Sequence, residues 1–297
     1  MRGMTETARD QLNSLLGSGD QAIWSIAAVV LAIQGAASEE QHTAAWAVLK
    51  ARGLDGVASL RAEEAGGLAA QAAAPIHQVA ALLRGDGQMW AEQSDEALFA
   101  QGRASAQGAA AFAQFVLPRL EGLQDAFAGG ARMLDVGTGV AAMAVAYAEL
   151  FPRLTVVGID VMPRVLAMAE QTVAASSVSD RIVLRHQDVS ALDEPETYAL
   201  AWLPAPFIPE SALGAGAPRV VESLLQGGWL MLGHGKYGGP ALGDALGRFK
   251  TIAYGGTALD DGQAEELLRS AGLVEVSTLP TPEGAPAITV GRKPTAT

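Results

Sequence analysis

Cysteine is absent from the 297-residue chain. Its absence excludes disulfides, thiolate metal sites and cysteine nucleophiles. Basic residues are also scarce: 20 Lys and Arg stand against 32 Asp and Glu, which gives a formal net charge of -12 at pH 7. Proteins that bind phosphate backbones usually have the opposite balance, so we expect no nucleic-acid partner. A chain without cysteine fits a reducing compartment, and we predict a cytoplasmic location.

Long hydrophobic runs are missing too. The longest apolar stretch, AIWSIAAVVLAI at residues 22–33, is shorter than the roughly 20 residues that a membrane-spanning helix needs. We therefore expect a buried or oligomer-forming helix here, and neither a signal sequence nor contact with a membrane. Because 49% of the residues are hydrophobic, the chain can bury a sizeable core.

The first half of the chain has apolar residues at helical spacing and no sustained alternation. The sequence SEEQ at 38–41 is typical of a capped helix N-terminus. Paired glycines at 66–67 and the segment GDG at 85–87 predict breaks between helices. A long helix is predicted over about 91–127, under stress at Pro118.

After residue 130, short apolar runs alternate with helical segments. Strands are predicted at 132–136, 155–160, 182–186, 198–203 and 229–233, and helices at 141–150, 163–175, 210–225 and 242–248. This alternation is typical of a parallel sheet with helices on both faces. A helix at 263–270 then precedes two strands, at 273–279 and 287–291, which are too close for a helical crossover and should pair antiparallel. The predicted fold class is α/β with a helical N-terminal part.

The first predicted strand leads into the sequence MLDVGTGVAA at residues 133–142. Gly137 and Gly139 with Ala142 satisfy the loose Rossmann fingerprint of a dinucleotide site, which is a weak signal on its own. Asp135 lies beside these glycines, where a carboxylate is unfavourable for a pyrophosphate and favourable for a cationic ligand. A tight turn without any ligand is the alternative.

Acidic residues also close the next two strands. Asp160 ends VVGID, where a carboxylate can bind both hydroxyls of a ribose, and NAD would fit it equally well. Asp188, in HQDVS, can accept from an adenine amino group or, alternatively, cap a helix. Three acids on the carboxyl edge of a parallel sheet indicate a nucleoside-type ligand, because such sheets bind ligands at that edge.

The motifs LDVGTG, VVGID and HQDVS resemble the first three motifs of class I S-adenosylmethionine-dependent methyltransferases, and GGWLML before an antiparallel pair resembles the end of their sheet. The resemblance covers roughly residues 115–293 and implies a Rossmann-like sheet of seven strands with S-adenosylmethionine as cofactor. It implies a methionine site at Asp135, Gly137, Thr138 and Gly139, a ribose site at Asp160, and an adenine site at Val161, Met162, Asp188 and Val189, with Leu203 also beside the cofactor. The helical first part resembles segments of small-molecule methyltransferases that cap the site and build dimers.

The fourth predicted strand ends in AWLPAPFIPE at residues 201–210. Many methyltransferases that act on amino groups of bases carry Asn or Asp, two prolines and an aromatic residue at this point. Here Leu203 replaces the polar residue, which argues against base N-methylation. The prolines predict a stiff apolar wall on which Phe207 can face the acceptor; a rigid surface turn with a core Phe is the alternative.

A catalytic base is required only when the acceptor must lose a proton. His234 is the best candidate among the four histidines, because it follows GGWLMLG at the carboxyl end of the fifth strand, and Tyr237 is its natural companion. A loop histidine exposed to solvent is the alternative. Trp90 and Gln101, ahead of the first motif, are candidates to contact the substrate, or they belong to an ordinary amphipathic helix. Histidines and carboxylates lack metal-ligand spacing, so we predict no metal.

Together these features predict a methyltransferase in which residues 1–115 form a helical cap and dimerisation domain and residues 116–297 bind S-adenosylmethionine. The expected acceptor is a small, partly aromatic molecule, methylated on oxygen, nitrogen or an electron-rich carbon such as that of an indole ring. The expected partners are this small molecule and a second copy of the chain. An NAD-dependent oxidoreductase and a non-catalytic module with the same cofactor fold remain the alternatives.

Overall fold

The computed structural model describes residues 8–35, 38–84, 93–237, 241–253, 255–281 and 285–295. The chain divides into two compact units, Met1–Ala80 and Ala81–Thr297. The predicted boundary between residues 115 and 116 lies inside the second unit. The roles that we assigned to the two sides of that boundary stay predictions.

The first unit contains α1 (Ala8–Gln34), α2 (Glu39–Ala51) and most of α3 (Ala62–Arg84). As predicted, α2 begins at a capping box, in which Ser38 and Gln41 each accept from the other's backbone N–H. The predicted break at 66–67 is wrong, because α3 runs through both glycines. Four buried alanines in the following turns stabilise the helix against the cost of about 1 kcal/mol per glycine. The predicted break at 85–87 lies outside the described residues.

Helix α1 is the most apolar element of this unit. Within the described residues, one segment, the 21-residue Ser14–Gln34, is long and apolar enough to cross a membrane by length and composition. Core helices of water-soluble proteins and signal sequences meet the same criterion. Leu15, Leu16, Ile23 and Trp24 are more than half exposed. On its other side, α1 packs against α2 through a small cluster of alanines and Leu49.

The second unit contains the sheet, whose strands are β1 (Arg132–Val136), β2 (Thr155–Asp160), β3 (Ile182–His186), β4 (Tyr198–Pro204), β5 (Leu224–His234), β6 (Val274–Leu279) and β7 (Ala287–Arg292). In the described part of the chain the seven strands lie in the order β3-β2-β1-β4-β5-β7-β6. The first five are parallel, and β7 runs antiparallel to both β5 and β6. The predicted α/β class and the antiparallel final pair are confirmed.

The helices of this unit are α4 (Asp95–Ala111), α5 (Leu123–Gly129), α6 (Ala142–Leu150), α7 (Pro163–Ala174), α8 (Glu210–Ser223), α9 (Ala241–Ala253) and α10 (Asp261–Ser270). The helix predicted over 91–127 is divided. A π turn and a 3-10 turn follow Ala111, because Pro118 has no N–H to donate and Gly122 has a φ of 76°.

Alternate residues of the central strands point into two different cores. Met133 and Met231 pack with Tyr147 of α6 on one side of the sheet, which we call the α6 face. Leu134 and Leu232 pack on the other side with residues of α8 and α10, which we call the α8 face. Because the side-chain period of a strand is two, each side chain at the carboxyl edge is assigned to one face by its register.

Candidate active site

The turn between β1 and α6 forms the centre of the site. Gly137 and Gly139 have φ values of 66° and 58°, the left-handed region that glycine adopts without a steric cost. The N–H groups of Gly137 and Thr138 both donate to the Ile159 carbonyl, at 2.9 and 3.1 Å. These two bonds fix the glycine turn to the end of β2 and hold its backbone against the edge of the sheet.

Asp135 has an unusual environment at the end of β1. It is 1% exposed, and its Oδ2 accepts from the Thr138 hydroxyl at 2.7 Å. Its Oδ1 is buried and has no hydrogen-bond partner in the described structure. Burial raises the pKa of Asp135 to about 7, the Thr138 bond lowers it, and the charge of Asp160 raises it again. A buried oxygen without a partner is costly, so the site suits a cationic group placed at Oδ1.

Asp160 closes β2 beside the same turn. Its Oδ2 accepts from the Gly139 N–H and its Oδ1 from the Met162 N–H, each at 3.0 Å. Burial raises the pKa of Asp160, whereas the backbone bonds lower it. A carboxylate has about four acceptor positions. The two that remain suit the paired hydroxyls of a ribose.

The residues predicted at the adenine have different positions. Val161 is 54% exposed and can cover a flat ring. Met162 packs against Leu98 and Val140, and Val189 is buried on the α8 face. Asp188 is exposed, and its Oδ1 accepts from the N–H and hydroxyl of Ser190 at 2.8 and 2.7 Å. The cap that we left as an alternative is therefore present, and it occupies only one oxygen of Asp188.

The apolar wall after β4 is held by main-chain contacts. Phe207 lies half-buried in the short 3-10 turn Ala205–Phe207. The Thr257 N–H donates to the Ala205 carbonyl at 2.9 Å, and a Cβ added to Gly256 would lie 1.9 Å from the Pro206 oxygen. Leu203 is fully buried with its side chain on the α8 face, so it can meet a cofactor only through its main chain.

The position of His234 corrects our prediction of a proton acceptor. Its side chain is 0% exposed. One ring nitrogen lies 2.8 Å from the Thr289 hydroxyl, and the other 3.0 Å from the Gly235 carbonyl. Burial lowers the pKa of His234. Because His234 follows Gly233 by one residue, its side chain lies on the α8 face, opposite Asp135, and we assign it to the core.

Tyr237 has partners on α9. Its hydroxyl lies 3.0 Å from that of Thr251, and the Arg248 guanidinium is 4.3 Å from the centroid of its ring. Its ring also occupies the side-chain space of Gly235. The structure thus packs Tyr237 against α9, and the predicted pairing with His234 does not form.

Helix α4 lies over the start of α6. A Cβ added to Gly102 would be 2.3 Å from a methyl carbon of Val140, so a glycine is required for this close approach. Gln101, one residue earlier, is half-buried and donates to the Ser105 hydroxyl at 3.1 Å. Its helix therefore borders the glycine turn, whereas Trp90 lies outside the described residues.

Two site residues were missed in the sequence. Gln93 is 6% exposed and its Oε1 has no partner in the described structure. The Arg164 guanidinium donates to the Gln93 carbonyl at 2.9 Å, which fixes this residue to the start of α7, just after Met162. Gly158 is the second, because a Cβ there would lie 2.6 Å from the Thr138 hydroxyl oxygen. Its position two residues before Asp160, on the same face, was the available signal.

Metal chemistry has no candidate site among the side chains that the structure describes. No group of three or more His, Cys, Asp or Glu residues there could hold an ion. The prediction of no metal stays a prediction.

Residues 133–228 match the profile of a protein family described as a methyltransferase domain. This region contains the glycine turn, Asp160 and Asp188. These residues therefore form a methyltransferase domain, and the chain has the fold of the class I S-adenosylmethionine-dependent methyltransferases. The fold class, the enzyme class and the cofactor that the sequence predicts are thereby confirmed.

Relatives of this methyltransferase differ in how much of the chain they match. Release factor glutamine methyltransferase of Cereibacter sphaeroides is 32% identical over 195 residues, 60% of this chain and 66% of that protein. An O-methyltransferase family protein from Burkholderia thailandensis is 14% identical with a TM-score of 0.65, over 99% of this chain and 100% of that one. Human N-acetylserotonin methyltransferase in complex with SAM is 16% identical with a TM-score of 0.61, over the same shares of the two chains.

The residues of this methyltransferase fit the cofactor. The unpartnered Oδ1 of Asp135 suits the ammonium of the methionine part, and the remaining acceptor positions of Asp160 suit the ribose. The exposed Val161 suits the adenine ring.

Proposed function

We propose that this methyltransferase transfers a methyl group to a hydroxyl oxygen of a small, partly aromatic molecule. The observation that supports this acceptor most is the wall after β4, where two partly exposed apolar residues, Pro206 and Phe207, follow three buried ones. A charged amine would lose its hydration there without gaining a partner. The fold that the chain shares with O-methyltransferases over almost its whole length agrees with the proposal.

The chain's own contribution to the reaction is positioning. Bound S-adenosylmethionine supplies a methyl group activated by a sulfonium. Asp135 orients the ammonium end of the cofactor, Asp160 holds the ribose, and the wall after β4 excludes water from the acceptor. An in-line displacement depends mainly on such alignment. Because His234 lies in the core, the acceptor binds with a neutral hydroxyl whose proton passes to solvent as the methyl group is transferred, and rates follow the pKa of the acceptor.

A nitrogen acceptor is the second candidate. The relative in Cereibacter sphaeroides is named for glutamine as its acceptor, and it is 32% identical. Against this candidate, Leu203 replaces the polar residue that would accept from an amino or amide group. The two acceptors give different products in one experiment.

That experiment incubates the intact protein with methyl-labelled S-adenosylmethionine and a panel of phenols, indoles and amines, read by mass spectrometry. We expect label on phenols and faster transfer to the more acidic phenols at pH 7. At limiting S-adenosylmethionine, Asp160→Ala should lower labelling at least about tenfold, whereas Asp180→Ala, an exposed acid at the amino edge of the sheet, should leave it unchanged. Label on amines alone, or on none of the compounds, would overturn the proposal.

We also propose that residues 1–115 cap the active site and mediate dimerisation, and that the enzyme is a cytoplasmic homodimer. The exposed apolar residues of α1 support self-association, because a patch of this kind usually marks an interface. The net charge of -12 supports the absence of a nucleic-acid partner. Light scattering should give twice the chain mass, and a monomer at micromolar concentration would remove the dimer from the proposal.

A further inference from the structure

Trp202 lies near the carboxyl end of β4 and plays no part in the site as described above. It pairs with Asp135 of β1 on one side and with Met231 of β5 on the other. Paired residues of neighbouring strands point to the same face, so the Trp202 ring lies on the α6 face, one strand away from Asp135. It is only partly buried.

The indole of Trp202 reaches across β5. A Cβ added to Gly233 would lie 2.3 Å from its Cη2 and within 3.1 Å of two further carbons of its six-membered ring. The ring therefore occupies the space where a side chain of β5 would otherwise stand. The glycine at this position lets the ring lie against the sheet.

Two further apolar side chains continue this surface. Ile288 of β7 pairs with Gly233, and Leu279 of β6 pairs with Ile288. Both are partly buried and pack at the margin of the α6-face core. Together with Trp202 they form an uncharged strip across four strands, which we call the Trp202 strip. It begins beside Asp135, at the methionine end of the cofactor site.

We propose that Trp202 determines acceptor specificity, by stacking its indole on the aromatic ring of a neutral, planar acceptor. This inference rests on the proposed function, because it places the acceptor beside the methionine end of the cofactor. A flat ring on an indole gains offset-stacking energy beyond the apolar area that it buries. An uncharged strip selects against charged acceptors, since a charge would be desolvated there without a partner.

The test measures binding, independently of turnover. The intact protein, saturated with S-adenosylhomocysteine, is titrated in a calorimeter with 2-naphthol and with decahydro-2-naphthol, which has the same carbon skeleton without the planar ring. We expect 2-naphthol to bind about tenfold more tightly. Trp202→Leu should remove this preference and Trp202→Phe should keep most of it. Val183→Ala, at an exposed apolar residue of β3 on the opposite face of the sheet, should have no effect.

Gly233→Ala provides a second variant, in case Trp202→Leu does not fold. The added methyl group displaces the indole towards the acceptor, so 2-naphthol should bind about tenfold more weakly while S-adenosylhomocysteine binds as before. Equal binding of the two alcohols, or no binding of either to the loaded protein, would overturn the inference. So would an unchanged preference in Trp202→Leu. Failure of the proposed function is distinguishable, because the labelling experiment would then give methylated amines alone, whichever of the two alcohols the loaded protein prefers.

Discussion

Lowering the pH should weaken cofactor binding through Asp135. Burial raises the pKa of this carboxyl to about 7 in the free protein. A cationic ligand group at Oδ1 requires the ionised form, so below pH 7 binding must first release a proton. Each pH unit below the pKa then costs about tenfold in affinity, or about 1.4 kcal/mol. Between pH 7.5 and pH 5.5 the dissociation constant of S-adenosylhomocysteine should rise about 25-fold.

Other groups near Asp135 leave this expectation intact. Burial raises the pKa of Tyr147 well above its usual value, so this residue stays neutral throughout the range. Burial also raises the pKa of Asp160, which adds to the loss of affinity at low pH in the same direction. Asp135→Asn separates the two contributions, because it removes only the first.

Calorimetry in two buffers of different ionisation enthalpy measures the protons directly. We expect about one proton released per ligand at pH 5.5 and about a quarter of a proton at pH 7.5. Asp135→Asn should bind weakly with a flatter pH profile, and the control Asp180→Asn should behave as the unchanged protein. An affinity independent of pH with no buffer-dependent heat would refute the reasoning. An Asn variant with the original pH slope would refute it too.

Three further results are expected. Gly158→Ala forces Thr138 away from its bond to Asp135, so this variant should bind S-adenosylhomocysteine about tenfold more weakly. The control Gly214→Ala adds a methyl group in open space and should bind it as the unchanged protein does. Equal affinities of the two variants would contradict this expectation. In the free protein, the raised pKa of Asp135 stabilises the fold at low pH, and this stability is lost as pH rises through 7. Relative to Asp135→Asn, the free energy of unfolding of the unchanged protein should therefore fall by about 4 kcal/mol between pH 4 and pH 8. Urea titration measures this difference. His234→Ala should lower the free energy of unfolding by about 2 kcal/mol and leave turnover of the folded enzyme unchanged. A large loss of turnover without loss of stability would show that His234 acts in the active site.

The strands were well predicted from the sequence because their apolar runs are short and bounded. The predicted bounds 132–136, 155–160 and 182–186 are those of the structure. The fifth strand was predicted at 229–233 and begins earlier, at Leu224, which pairs with Tyr198 of β4. The register then shifts over the glycine-rich segment, before Trp229 pairs with Leu200. Helix α3 shows the reverse error at 66–67, where packing outweighs the preference of glycine for breaks.

The cofactor side of the site was predictable and the acceptor side was not. Asp135 and Asp160 lie at the ends of strands beside a glycine turn, and this local sequence pattern is enough to predict where they lie. His234 and Gly233 are neighbours in the sequence, so their side-chain positions lie on opposite faces of the sheet. The strand register alone decides which of them lies on the same face as Asp135. Trp202 was missed for the same reason, because its relation to Asp135 depends on the pairing of β1 with β4.

The most direct test of the central claim is calorimetric titration of the intact protein with S-adenosylhomocysteine and, separately, with NADH. We predict that S-adenosylhomocysteine binds, that NADH does not, and that Asp160→Ala weakens S-adenosylhomocysteine binding at least about tenfold, since a charge-assisted bidentate contact is lost. Tight binding of NADH with no response to S-adenosylhomocysteine would contradict the claim.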